Sequence, residues 1–98
     1  MKFLAISREI APVNWDSQGE MLKEEANILH SLYLSDQVRE FYFTDEGEAV
    51  LILECQSRKD ALVLLQQLPL VRNGLIGFDL LKLNPYTGFA RLMNRENV

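Results

Sequence analysis

The chain has 98 residues, a formal net charge of −4, and 48% apolar against 24% charged residues. That length and balance suit one soluble globular domain with a modest core. An acidic surface offers no favourable phosphate contacts, which argues against nucleic acid or an anionic membrane as the partner, and a single cysteine, Cys55, excludes an internal disulfide.

Lys2 to Ser7 reads as a first strand, apolar on both faces. Before Ser7-Arg8-Glu9 the N-terminus offers only Phe3-Leu4-Ala5-Ile6, too short for a signal segment, so a cytoplasmic location is expected. Arg8 to Asp16 reads as a loop containing Pro12, Asn14 and Trp15. Ser17 with Glu20 forms a capping-box pattern and predicts a helix to about Leu34, closed by Ser35-Asp36. Val38 to Thr44 predicts a second strand, with Arg39, Phe41 and Phe43 on one face and Val38, Glu40 and Tyr42 on the other. Asp45-Glu46-Gly47 predicts a hairpin turn with Gly47 at positive φ.

Ala49 to Cys55 opens with five successive apolar residues and predicts a strand buried on both faces; Cys55, at its end, reads as a core thiol. Ser57 with Asp60 starts a second helix, Ala61, Leu64, Leu65 and Leu68 form its apolar stripe, and Pro69 is expected to end it. Asn73-Gly74 is a turn, Leu75 to Leu83 a fourth strand, and residues from about 86 to 98 a tail bearing Tyr86 and Phe89. The order is βαββαβ, the ferredoxin-like α+β arrangement, with a four-stranded antiparallel sheet and both helices on one face. The strands are apolar on both sides, Leu4 and Ile6 against Phe3 and Ala5, and Val50 and Ile52 against Leu51 and Leu53, so the face without helices would be left bare. A second copy laying its own sheet there is the expected cover, giving a dimeric α+β barrel.

On a helix projection at about 100° per residue, Met21, Leu22, Ile28, Leu29 and Leu32 fall within an arc of about 120°, and Glu25 projects near its middle. A carboxylate on an apolar stripe has its charged form disfavoured by desolvation, as a general base working near neutral pH requires. The alternative is that Glu25 bends to water or pairs with an arginine. His30, the only histidine, projects outward, and with Cys55 it makes neither a metal site nor a nucleophile–base pair. Arg39 and Asp79 are charges within strands, and such charges are costly unless paired. Arg39 either pairs with a carboxylate or holds a substrate carboxylate in its planar fork. Ser7, Trp15, Tyr33 and Tyr42 are candidates to line a pocket or simply to pack. No glycine-rich phosphate loop and no haem, flavin or nicotinamide signature is present, so no cofactor is expected.

Leu22-Lys23, Arg39, Ser57 with Ala61-Leu62, Leu64 to Leu70 ending in Leu68-Pro69-Leu70, Asp79 and Pro85 together resemble muconolactone delta-isomerase and its small relatives, over Lys23 to Pro85. The resemblance implies a ferredoxin-like fold, dimeric barrels that build larger rings, and a cofactor-free double-bond shift in an unsaturated lactone by proton abstraction and return. Glu25 stands where the family's first helix is acidic, and Lys23 matches a lysine. Ala26 and Ile28 replace further acidic positions, and Val38 and Tyr42 replace aromatic ones.

The expected function is therefore a cofactor-independent isomerase, or a related proton-transfer enzyme, acting on a small acidic organic molecule. Glu25 would be the base or proton shuttle, Arg39 the anion clamp, Tyr42 or Ser7 secondary donors, and Lys23 a further substrate-binding residue. Cofactor-free monooxygenases share such barrels. The alternative is a non-catalytic ligand-binding or oligomerising module. RNA binding on the sheet is disfavoured, since residues 49–55 carry no aromatic to stack a base.

Overall fold

The computed structural model describes residues 1–93. Four strands, β1 (Lys2–Glu9), β2 (Val38–Phe43), β3 (Ala49–Glu54) and β4 (Ile76–Leu83), form one antiparallel sheet in the order β2-β3-β1-β4. Helix α1 (Gly19–Leu34) links β1 to β2, and α2 (Arg58–Gln66) with α3 (Pro69–Arg72) links β3 to β4. This is the ferredoxin-like α+β fold.

The central strands alternate as a two-faced sheet demands. Phe3 and Ala5 of β1 are fully buried with Leu51 and Leu53 of β3, against Leu32 of α1 and Ala61, Leu64 and Leu65 of α2. Burying each larger side chain contributes on the order of 1.5–3 kcal/mol. Leu4, Ile6, Val50 and Ile52 point the other way and are only half-buried. On that open face Leu81 is 55% exposed.

The helix boundaries correct two sequence expectations. Ser17 does not cap α1: its hydroxyl donates to the Asn14 carbonyl at 2.9 Å, inside a short 3₁₀ turn (Trp15–Ser17). Gln18 becomes the N-cap without a side-chain bond, so the capping box is not formed. Ser57 does cap α2, accepting from the Asp60 N–H at 3.1 Å. Pro69 does not simply end that helix but opens α3 at its first position, where a missing N–H costs nothing.

The second strand also departs from simple alternation. Val38 pairs with Leu53 but Glu40 pairs with Ile52, so Arg39 is an extra residue in a bulge. The bulge puts Val38 on the helix-covered face with Phe41 and Phe43, where it is fully buried, and not with Glu40 and Tyr42. The hairpin turn forms with Gly47 at φ 85°, as expected.

After β4 an arm leads away from the body to a short helix, α4 (Ala90–Met93). The described chain is 63 Å in its longest dimension, whereas an eight-residue strand spans about 27 Å. Tyr86 and Phe89 meet edge to face at 5.0 Å, and both are about two-thirds exposed. The rest of the expected tail, beyond Met93, lies outside the described residues.

Candidate active site

The helices do not fill the whole of the sheet they cover. Beneath the N-terminal half of α1, a cavity of about 640 Å³ opens beside the end of β1 and the β2–β3 hairpin. That volume lies in the range of small-molecule sites, about 300–1,000 Å³. Leu22, Leu29, Leu51 and Leu70 supply apolar walls, and Trp15, Phe41 and Phe43 add aromatic ones.

Glu25 lines this cavity and is only 7% exposed. It falls on the inner face of α1, one turn before Ile28 and Leu29. Its Oε1 accepts the Leu70 N–H at 3.0 Å. That N–H belongs to the first turn of α3, where no helical carbonyl can reach it. Oε2 has no hydrogen-bond partner among the described residues. Burial pushes the carboxyl above the usual carboxylate range; the Leu70 bond and the more distant Arg72 oppose this, and Glu24 adds to it. The arrangement is a carboxyl fixed by one oxygen, with the other available to a ligand.

Ser7 is 9% exposed and lines the same cavity. The β1–β3 ladder stops at Ile6 and Val50, so the next N–H, that of Ala49, has no strand carbonyl. Ser7 Oγ accepts it at 2.7 Å. With a lone pair occupied in this way, the hydroxyl proton is left to donate elsewhere. Trp15 is held over the cavity by its indole N–H, which donates to Glu9 Oε2 at 3.1 Å.

The remaining candidates do not converge here. Arg39 does not line the cavity; its Nε donates to the Asp36 carbonyl at 3.0 Å, in an exposed position fixed by the bulge. It forms neither the expected anion clamp nor an ion pair among the described residues. Lys23 is exposed and also lies outside the cavity lining. Tyr42 borders the cavity, but its hydroxyl donates to Glu40 Oε1 at 2.6 Å. That bond, with the charge of Glu40, pushes the phenol above its ordinary value. Tyr33 packs edge to face on Phe41 at 5.4 Å instead of lining the cavity. Asp79 pairs with Arg8 at 3.2 Å across the open face.

Sequence reasoning did not find the Leu70 N–H, Glu9 or the hairpin carboxylates Glu46 and Glu48 as parts of the lining. Only the hairpin could have been inferred, because its turn follows the face shared by Phe41 and Phe43. No group of three or more potential metal ligands occurs among the described residues, and no described helix is long and apolar enough to cross a membrane.

Fold and cavity together define a class: a small ferredoxin-like α+β protein with a buried carboxyl set into an apolar chamber between its first helix and its sheet. No protein-family model matches the chain, and no curated protein matches it. Among solved structures it is similar to the 5-chloro-2-hydroxyhydroquinone dehydrochlorinase of Burkholderia phenoliruptrix AC1100, in complex with 2,5-dihydroxybenzoquinone. The identity is 17% and the TM-score 0.67, covering 90% of this chain and 98% of that one. At that identity the likeness establishes the fold alone.

Proposed function

We propose that this chain is a cofactor-independent proton-transfer enzyme that shifts a double bond in a small oxygenated organic molecule, such as an unsaturated lactone. The observation that carries the reading is Glu25: a buried carboxyl that lines a ligand-sized cavity, anchored through Oε1 and with no hydrogen bond to Oε2 among the described residues. Desolvation makes such a carboxylate a stronger base than one in water, and the Leu70 bond fixes its direction.

In the proposed reaction Glu25 takes a proton from a carbon conjugated to a carbonyl. The C–H electron pair moves through the conjugated system onto the carbonyl oxygen, which accepts a hydrogen bond from the Ser7 hydroxyl. The protonated Glu25 then returns the proton at the far end of the system. One C–H bond breaks, another forms, and the double bond moves with no net redox change. Such a reaction requires a base and a donor, and no other reactant.

The resemblance to the muconolactone delta-isomerase family supports this reading. So does the solved neighbour, a dehydrochlorinase bound to an oxygenated ring. We further propose that the chain works as a homodimer, or a larger ring of dimers, with a second copy covering the open face around Leu4, Ile6, Val50 and Ile52. A ligand-binding module without catalysis is favoured by one observation: the Glu25–Leu70 bond gives the carboxyl a structural task of its own.

The deciding experiment measures isomerisation of unsaturated lactones by the wild type and Glu25→Gln. Loss of turnover on the order of 10²–10⁴-fold, with the fold intact, is expected for the base. Unchanged turnover would rule Glu25 out.

A further inference from the structure

We infer that the ligand enters this cavity uncharged, and that carboxylates of the β2–β3 hairpin select against anions. The inference rests on the reading of the cavity as a substrate site, and it departs from the expectation of an acidic substrate.

That expectation depended on Arg39 and Lys23, and neither lines the cavity. The one lining cation is Arg8. Its Nε is engaged by Asp79 Oδ1 at 3.2 Å, and Asp79 pairs in register with Ile6 on the sheet's open face. Four carboxylates thus line the cavity against this single guanidinium, which already shares its charge with Asp79. The acidic lining consists of Glu9, Glu25, Glu46 and Glu48. Glu9 is bonded to Trp15, and Glu48 Oε1 accepts the Thr44 hydroxyl at 3.1 Å, which ties that carboxylate to the hairpin at the cavity's edge. An anion entering here meets a lining with more carboxylates than cations, and loses water for a net repulsive surround.

A cationic ligand would find carboxylates in the lining, but it suits the apolar walls no better. Its charge would have to be desolvated against leucine side chains, and pairing with Glu25 would occupy the oxygen that the proposed proton transfer needs. An uncharged ring fits both the walls and the polar pair. It can stack on Trp15, receive the Ser7 proton at a carbonyl oxygen, and present a carbon-bound hydrogen to Glu25.

The test uses the full chain and three saturated γ-lactones, which have no double bond to shift. They carry the same short side chain ending in a carboxylate, a primary carboxamide or an ammonium group. Trp15 is the only tryptophan, so its fluorescence reports occupancy directly. At neutral pH the carboxamide should bind at least about tenfold more tightly than the carboxylate, and more tightly than the ammonium probe. In the Glu46→Gln/Glu48→Gln variant the gap between carboxamide and carboxylate should narrow by about threefold or more. A carboxylate or ammonium probe binding as tightly as the carboxamide overturns the inference, and so does a gap that the double variant leaves unchanged. Neither result touches the assignment of Glu25 as base, which is read from turnover. Failure of all three probes to bind overturns this inference while the turnover of Glu25→Gln still decides the other.

Discussion

Glu25 on α1 and Leu70 on α3 are joined by a buried hydrogen bond of 3.0 Å between residues 45 positions apart. The carboxyl closes the first turn of a four-residue helix that has no capping side chain of its own. Glu25→Gln keeps an acceptor for the Leu70 N–H, whereas Glu25→Ala leaves that donor buried and unpaired. The alanine variant should lose about 1–3 kcal/mol relative to the glutamine variant. Urea unfolding of the two proteins, compared at one pH, measures it.

The same residue sets a pH dependence. Burial raises its carboxyl pKa in the folded chain above the ordinary 4.5. A raised pKa means that the folded state holds the proton more firmly than the unfolded state does. The associated stability is fully present below 4.5 and is lost as pH rises through the folded pKa. Glu25→Gln cannot ionise, so its stability relative to the wild type should improve as pH rises through that window. Thermal melts of both proteins from pH 4 to 8 check the sign. If Glu25 is the base, turnover should follow the opposite course, increasing as the carboxyl loses its proton above 4.5.

The sheet, its two crossovers and the apolar face of α1 were legible from residue pattern, because alternation in β1 and β3 and the Ser57 cap are local signals. Glu25 was also visible, since a single charge inside the arc of Met21, Leu22, Ile28 and Leu29 breaks a simple period. The companions of Glu25 were not. Its hydrogen bond comes from the backbone of α3, and a backbone N–H leaves no mark in sequence. Arg39 was misplaced for a related reason: the bulge between Val38 and Glu40 shifts β2 by one residue, and no glycine or proline announces it. Ser17 formed a plausible capping box, but Asn14 nucleated an earlier turn that took its hydroxyl.

Ser7 bonds the Ala49 N–H at the end of the β1–β3 ladder, so Ser7→Ala removes two things at once. Loss of the acceptor should destabilise the protein by about 1–3 kcal/mol. Loss of the donor should lower turnover without altering its pH profile, because the base is untouched. A comparison of kcat across pH for wild type and variant separates these effects. A shifted profile would show that Ser7 acts on the ionisation of Glu25 and not on the ligand.

The open face of the sheet decides the assembly. Leu81 projects from β4 beside Leu4 of β1, and is 55% exposed in the single chain. A glutamate at that exposed position should change the stability of a monomer by no more than about 0.5 kcal/mol. If a second copy covers this face, the new carboxylate is instead buried against an apolar partner surface without compensation. Leu81→Glu should then convert a particle of twice the 11.3 kDa chain mass into one of that mass, measured by sedimentation at micromolar concentration. A wild type that sediments as a single chain would remove the dimer from the proposal and leave the apolar face without a partner. An unchanged dimer in Leu81→Glu would place the interface elsewhere, with the exposed Tyr86 and Phe89 of the arm as the next surface to vary.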